Sequence, residues 1–391
     1  MPVPLIEPSA LRSNDNVRAI WDLVGQITQK YDRAYYRKCV AEQRYPEELW
    51  DALGEAGLLG LGLPEDWGGE GGGILEECAV VEALGRAGIL AFSLVIGQLA
   101  RIPVFSHGDG EAARRFVAAT LRGERRPCFG LTEPDAGTNA FAMRTVARRD
   151  PDRGGWRVSG QKLYISGADA AEQMLLIART NDRADKAEFI LLLVDMSSEG
   201  LTIANQPIDI VAPCKQATIF LDEVFVPDDN VVGDPGRGAR YLFTSLNHER
   251  IMASAMALGL AEHVLNKGVE YAGVRAPFGE PIGGYQATQH PLARCKIRLE
   301  TGRLMMYEAA LAFDQGREAD TMAAMAKWVS SEAAWETLDT VVQAHGGYAF
   351  DGAADLMQFM GFLRMLRIAP LNNEMVLNYV GERVLGLPRT Y

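Results

Sequence analysis

Apolar residues recur at every third or fourth position through the first third of the chain. Leu49, Leu53 and Ala56 form one such series, and residues 74–84 carry another. This period is that of an amphipathic helix, so the segment predicts a helical bundle. A Pro- and Gly-rich stretch at residues 63–73 interrupts the pattern because it cannot sustain a helix. No GK[ST] follows it, and we interpret it as a connector rather than a phosphate-binding loop.

The pattern changes after residue 126. Short runs rich in β-branched and aromatic residues, bounded by Gly, Asp and Pro, predict strands at 156–165, 174–178, 189–194 and 217–226. Helical periodicity then returns in long segments at 241–273, 286–315, 320–344 and 372–385. We therefore expect an α+β multi-domain protein, with a helical domain at 1–126, a β domain at 127–236 and a helical domain at 237–391.

Composition and charge exclude several classes of protein. Hydrophobic residues make up 48% of the 391 residues, which is ordinary for an ordered globular chain. The net charge of -12 repels polyanions, so we expect no nucleic acid partner. No run of about 18 apolar residues predicts a membrane span, and no export signal is visible at the N-terminus. The five cysteines lie singly and the histidines lack metal-ligand spacing, so we expect a cytoplasmic protein without a disulfide framework or a metal.

Two segments contain residues that could bind a cofactor. Residues 129–139 read FGLTEPDAGTN, a strand running into a turn whose N–H groups and Thr hydroxyls suit a flat heteroaromatic ring or a phosphate. Taken alone, an ordinary turn is the simpler interpretation. Residues 156–167 follow one β-hairpin later and read WRVSGQKLYISG.

Together these segments resemble the acyl-CoA dehydrogenase flavoprotein family, whose motifs are LTEPxAGSD and GxKxWITN. The resemblance continues at family-like spacing through RAPFGEPI at 275–282, QATQHPLA at 286–293 and QAHGGY at 343–348, and it covers nearly the whole chain. It implies an N-terminal helical bundle, a central β-barrel and a C-terminal four-helix bundle. It also implies a homotetramer or a homodimer.

The resemblance implies FAD as the cofactor. The matched residues expected to line the flavin are Phe129, Leu131, Thr132, Thr138, Tyr164, Ile165 and Ser166. The resemblance implies that Thr132 contacts the pyrimidine edge of the flavin and that Ser166 contacts its reactive N5. Thr138 would contact the pyrophosphate of FAD or the thioester of the substrate. Tyr164 stands where the family usually has Trp.

A second group resembles the parts that hold the adenine dinucleotide of a neighbouring subunit. Its members are Arg275, Phe278, Gln286, Gln343, Gly346 and Gly347. Arg275 offers a planar cation for phosphate, and glycines permit close backbone approach. Taken singly, Arg275 is equally well a solvated cation at a helix end, and the two glycines are equally well a helix C-cap.

The reaction of the family requires a carboxylate that removes a proton α to a thioester. Some members carry it on the long helix after the barrel, immediately before an Arg, and this chain has Glu249 and Arg250 there. Glu249 also falls on an apolar stripe of helical spacing, formed by Leu242, Leu246, Ala253, Met256 and Leu260. A carboxylate on a buried face is costly unless it is paired or functional. Glu249 is our candidate base; the alternative is a carboxylate that pairs locally with Arg250.

The commonest position for the base in the family is the Glu of an EGTxE turn near the C-terminus. Two registers are open here, one placing Pro370 and the other Asn373 at that position, and neither supplies a Glu. In the family the backbone N–H at this position helps to hold the thioester oxygen, and Pro has no N–H. We therefore expect Asn373 or a neighbour to donate, with Glu374 as the fallback base.

The resemblance implies FAD-dependent α,β-dehydrogenation of an acyl-CoA to the trans-2-enoyl-CoA, in fatty acid metabolism and β-oxidation. Electrons would pass to an electron-transferring flavoprotein. Thr138, Asn247 and Arg250 are expected to contact the substrate. Three alternatives stay open: a flavin oxidase or monooxygenase of the same fold, a dehydrogenase of carrier-protein substrates, and a non-enzymatic DNA-binding relative.

Overall fold

The computed structural model describes residues 14–180, 188–243 and 245–389. Within the described residues, six α-helices precede the first strand: α1 Asp15–Lys30, α2 Arg33–Ala41, α3 Glu47–Glu55, α4 Ile74–Arg86, α5 Phe92–His107 and α6 Glu111–Leu121. The side chain of Asn14 caps α1 by accepting from the Val17 N–H, which satisfies one of its free backbone donors. The Gly-rich connector between α3 and α4 is an ordered turn closed by an antiparallel bridge between Leu63 and Gly71.

Eight strands of the described chain form one sheet. They are β1 Pro127–Gly130, β2 Val146–Asp150, β3 Gly155–Ser166, β4 Gln173–Arg179, β5 Phe189–Asp195, β6 Leu201–Gln206, β7 Gln216–Pro227 and β8 Val231–Gly236. The strand order is β6-β7-β3-β2-β4-β5-β8, and β1 pairs in parallel with β4. Strand β3 is paired along its length with β7, and this pairing carries a register shift between Lys162 and Ile165. The shift lies inside the second sequence motif.

The C-terminal region is helical: α7 Gly238–Phe243, α8 Leu246–Val274, α9 Gln286–Asp314, α10 Asp320–His345, α11 Met360–Met365 and α12 Asn373–Tyr379, continued by a π-helical turn Val380–Val384. The predicted helix 241–273 is thus two helices, and Leu242 belongs to the first. The apolar stripe through Glu249 begins at Leu246, and its members Ala253, Met256 and Leu260 are buried.

Helices from both ends of the chain share one core. Helix α4 packs on α8 where Gly85 meets Gly259, and a Cβ at Gly85 would lie 2.9 Å from the Gly259 Cα. A buried Arg303 on α9 binds Glu82 of α4 and Glu262 of α8.

In the described residues, no helix is both long and apolar enough to cross a membrane. The predicted order of helical, β and helical parts is confirmed.

Candidate active site

The two sequence motifs form one structural unit around the buried Lys162. Its Nζ donates to the Leu131 carbonyl at 3.1 Å and to the Glu133 carboxylate at 2.9 Å. The Leu163 N–H donates to the Thr132 carbonyl at 2.8 Å, which ties the β1 turn to β3. Burial lowers the pKa of Lys162 to about 8, although Glu133 opposes the shift. The turn after β1 is therefore held from inside the domain, which leaves its outer edge available to a ligand.

The outer edge presents the polar groups that a flavin needs. Thr132 is half-buried, and its N–H has no hydrogen-bond partner among the described residues. Tyr164 is 59% exposed and has a φ of 57°, a left-handed conformation that is uncommon outside Gly. Tyr164 lies within the register shift of β3, between Lys162 and Ile165. This edge combines hydroxyls, a free N–H and an aromatic ring, and it fits a flat heteroaromatic cofactor.

Not every predicted flavin residue points outward. The side chain of Ile165 is buried in the core of the β domain, so only its backbone faces the edge. Phe129 and Leu131 are half-buried and pack against the core that α5 and α6 share with the sheet. These three residues support the edge by packing into the protein core, and their side chains do not point outward.

The sequence reasoning missed Gln216, the first residue of β7. It is buried, and its Nε2 lies 2.8 Å from the Ser166 Oγ across the β3–β7 pair. The Ser166 hydroxyl also donates to the Gln216 Oε1 at 3.0 Å, so both groups of the buried amide hold this hydroxyl in place. No local motif marks Gln216, because its role arises only from strand pairing.

The C-terminal turn reaches the first motif. The Asn372 Nδ2 donates to the Thr138 Oγ1 at 3.0 Å. The Asn372 Oδ1 also accepts from the Met375 N–H at 2.8 Å and so caps α12. One side chain thus starts α12 and fastens it to the predicted flavin turn.

Asn373 is occupied on all sides. Its N–H donates to the Arg367 carbonyl at 3.0 Å, and its buried amide bonds to Lys327, Ser331 and Glu332. It therefore has no donor left for a substrate oxygen. The N–H groups of Leu371 and Asn372 have no partner within the described chain, so the expected donor is one of these neighbours.

Glu249 lies in the first turn of α8. Its carboxylate makes no hydrogen bond within the described part of the chain. Burial raises the pKa of Glu249 to about 7, against the opposing charges of Arg250 and Lys327. Glu374, the fallback base, is exposed in the first turn of α12. Glu249 is the less exposed of the two carboxylates, and a pKa near neutrality suits a general base.

Two of the three predicted substrate contacts, Asn247 and Arg250, lie beside Glu249 in α8, whereas Thr138 contacts Asn372. The Arg250 Nη1 donates to the Asn247 Oδ1 at 3.1 Å, and the Asn247 Nδ2 in turn donates to Asp320 at the start of α10. On the buried side, the His248 Nε2 contacts the Glu77 carboxylate at 2.5 Å. The first turn of α8 is therefore anchored on both flanks of the base.

The predicted adenine-binding group lies at the opposite end of α8. Glu249 and Arg275 are separated by about 40 Å along the helix at 1.5 Å per residue. The group is exposed, and Phe278 is 85% exposed. Gly346 has a φ of 58° and caps α10 through its N–H, so the helix C-cap interpretation of this glycine holds locally. The predicted adenine-binding group therefore lies about one helix length away from the candidate base.

Two adjoining clefts lie between the N-terminal helices and the loop before β7. One is lined by Ser166, Gly167 and Arg126 among others, and the second extends inward past Tyr36 and Leu53. They share the lining residues Tyr45, Trp50, Phe92, Ser93, Pro213 and Cys214. The cleft beside Ser166 is lined by polar side chains such as Gln43, Arg126 and Asp169 as well as by aromatic ones, and it adjoins the more apolar second cleft.

Comparison with known proteins gives the family. Profiles of the acyl-CoA dehydrogenase N-terminal, middle and C-terminal domains match residues 14–124, 128–224 and 236–385. The acyl-CoA dehydrogenase FadE12 of Mycobacterium tuberculosis (strain H37Rv) is 34% identical over 378 residues, which cover 96% of this chain and 97% of that protein.

Solved structures agree. Butyryl-CoA dehydrogenase from Megasphaera elsdenii superposes with a TM-score of 0.89 at 27% identity, covering 98% of this chain and 100% of that one. An FAD complex of PigA gives 0.89 at 26% identity, with the same coverage. The fold and site define a flavoprotein oxidoreductase that uses FAD and acts on acyl-CoA. The chain belongs to the acyl-CoA dehydrogenase family.

Proposed function

We propose that this protein oxidises an acyl-CoA thioester to the trans-2-enoyl-CoA, with Glu249 as the base. The observation that carries the proposal is a half-buried carboxylate, without a hydrogen-bond partner in the described chain, whose pKa is raised to about 7 by burial. A base poised near neutral pH is ionised for much of the time and still binds a proton effectively.

Each residue has a separate task. The Glu249 carboxylate accepts the proton from the carbon α to the thioester. The N–H of Leu371 or Asn372 would stabilise the charge that develops on the thioester oxygen. When bound, FAD supplies the acceptor for the hydride that leaves the β carbon as the double bond forms.

The flavin would lie along the edge formed by the β1 turn and the end of β3. Thr132, Tyr164 and Ser166 offer the donors and the ring at this edge, and Thr138 faces the C-terminal turn. The adenine half would be held by the exposed group of a second copy, because that group lies at the far end of α8. We therefore propose a homodimer or homotetramer, in which each FAD is bound by two chains.

The acyl-CoA would pass Asn247 and Arg250 on its way to Glu249. Arg250 is partly buried and is suited to a phosphate or a carbonyl of the CoA chain. We propose that the acyl tail passes Ser166 and continues into the inner cleft, whose walls are mainly aromatic and aliphatic. An electron-transferring flavoprotein is the proposed electron acceptor, and the exposed Tyr164 would lie on its side of the ring.

The test is anaerobic mixing of the FAD-loaded protein with acyl-CoAs from C4 to C16 while flavin absorbance is followed. We expect bleaching in the native protein and none in Glu249→Gln, with FAD still bound to both. The matched control is Glu374→Gln, which should bleach like the native protein.

Equal bleaching in Glu249→Gln would exclude Glu249 as the base. If no acyl-CoA bleaches the native flavin, acyl-CoA dehydrogenation is excluded, and an acyl group on a carrier protein is the next substrate to mix. Reaction of the reduced flavin with oxygen on the turnover timescale would instead indicate an oxidase.

A further inference from the structure

Lys327 is a buried cation about two turns into α10, and it contacts the C-terminal turn. Only 1% of its surface is exposed, and its Nζ donates to the Leu371 carbonyl and to the Asn373 Oδ1, the latter at 2.6 Å. The Asn373 amide continues the network to Ser331 and Glu332. A buried lysine with two neutral oxygen acceptors is costly to keep charged, so its position calls for a reason.

The turn that Lys327 holds is the one that touches the predicted flavin loop. Leu371 and Asn373 flank Asn372, and Asn372 is the residue bonded to Thr138. Lys327 thus fixes the backbone on one side of Asn372 and a side chain on the other. Without these bonds the turn would lose its attachment to α10, apart from the contacts of Ser331 and Glu332.

Lys327 also lies within electrostatic range of the candidate base. The charged groups that act on Lys327 are Glu332, Glu374, Arg250 and Glu249, and those that act on Glu249 are Arg250 and Lys327. Burial lowers the pKa of Lys327 to about 8, so the side chain is mostly charged at neutral pH. Two cations therefore oppose the effect of burial on Glu249, and Lys327 is the one that comes from a different helix.

We propose that Lys327 is a positioning residue for proton transfer: it holds residues 371–373 against the flavin loop through its hydrogen bonds to Leu371 and Asn373, and its positive charge acts on Glu249. The proposal rests on the function assigned to Glu249 above. It predicts two separable effects of removing the ammonium group, one on the order of the turn and one on the titration of the base.

The experiment compares three variants in the FAD-loaded full chain. Lys327→Met removes the charge and the donors, Lys327→Gln keeps a hydrogen-bond donor without the charge, and Lys267→Met is the control. Lys267 is half-buried, its Nζ donates to the Ala354 carbonyl at 3.1 Å, and burial lowers its pKa as well. Lys267 lies near the C-terminal end of α8, away from Glu249 and the C-terminal turn. Its replacement therefore shows what the removal of a partly buried lysine does to the protein in general.

Two readouts are measured. The first is the pH profile of kcat/KM with an oxidisable acyl-CoA, and the second is amide hydrogen exchange of residues 367–375, followed by mass spectrometry. In Lys327→Met we expect the acidic limb to move up by about one pH unit, because an opposite charge near a carboxyl lowers its pKa. We also expect kcat to fall by about tenfold or more, because the turn is displaced, and exchange in 367–375 to become faster.

Lys327→Gln should move the acidic limb of the kcat/KM profile in the same direction, with a smaller effect on amide hydrogen exchange. It replaces Lys327→Met in the test if the Met variant does not fold. Lys267→Met should change neither readout. An acidic limb at its native position in both Lys327 variants, or unchanged exchange in Lys327→Met, overturns the proposal. If the native protein oxidises no acyl-CoA, the proposed function is what fails, and the exchange measurement still decides whether Lys327 orders the turn.

Discussion

The side chain of Asn372 donates a hydrogen bond of 3.0 Å to the hydroxyl of Thr138, which lies 234 residues earlier in the chain. This contact joins the turn before the last α-helix to the first flavin motif. It places the β domain and the C-terminal helices on either side of one site. Both segments are backed by a buried lysine that binds a loop carbonyl: Lys162 at Leu131 and Lys327 at Leu371.

Replacing Asn372 with Ala should reduce both stability and turnover. The loss of a helix cap costs about 1 kcal/mol, and the loss of the Thr138 contact frees the turn. Asn14→Ala is the matched control, because Asn14 caps α1 in the same way, through the Val17 N–H at 3.1 Å. We expect similar losses in thermal unfolding but a lower kcat and weaker FAD retention only in Asn372→Ala. Equal activity in the two variants would contradict a role for the Thr138 contact.

Glu249 should make the protein less stable as the pH rises. Its pKa is about 7 in the folded state against an ordinary 4.5, so the folded state binds more protons than the unfolded state between these values. Stability from this group is therefore present at low pH and is lost as the pH rises towards 7. Glu249→Gln removes the charge, and its gain in the free energy of unfolding over the native protein should be larger at pH 8 than at pH 5. Denaturant titrations at both pH values measure it; a gain that does not depend on pH would refute the raised pKa.

The same pKa predicts the pH dependence of activity. Since the ionised carboxylate is the active form, kcat/KM should rise with pH through about pH 7 in the native protein. Steady-state rates from pH 5 to 9 with a single acyl-CoA test this. A flat profile across pH 6 to 8 would show that another group abstracts the proton.

Gln216→Ala should impair catalysis without unfolding the β domain. Its amide is placed to orient the Ser166 hydroxyl, so removal leaves that hydroxyl free to rotate. We expect roughly tenfold slower flavin reduction and a change in the flavin absorbance spectrum. The control is Thr218→Ala, on the same strand and likewise buried. If the two variants reduce flavin equally fast, orientation by Gln216 is not needed.

Ser93→Phe should shorten the range of accepted acyl chains. Ser93 is half-buried and lines both clefts, so a phenyl ring would block the passage between them. We expect kcat/KM to fall about tenfold for long chains while butyryl-CoA is unaffected, since one lost methylene contact in an apolar pocket changes the rate by tenfold or more. Ser106→Phe, at an exposed position of the same helix, is the control. A uniform effect at every chain length would place the acyl tail elsewhere.

Much of this architecture follows from local pattern. Helical period and β-branched runs depend on neighbours a few residues away, and for that reason the order of helical, β and helical parts is readable without coordinates. The two flavin motifs and the apolar stripe through Glu249 are local for the same reason. The break before Leu246 was not predicted, because Leu242 and Leu246 keep helical spacing across it and no Pro or Gly marks it. The signal that could have shown it is Ser245, the N-cap residue of α8.

Only the tertiary structure determined which distant residues contact one another at the site. Gln216 meets Ser166 through the register of β3 and β7, Asn372 meets Thr138 through the docking of a turn on the β domain, and Lys327 approaches Glu249 through helix packing. None of these pairs has a short sequence separation, and each depends on how whole elements pack. The sequence by itself thus identified the candidate base, whereas the packed structure determined its burial, its raised pKa and the cation from another helix that acts on it.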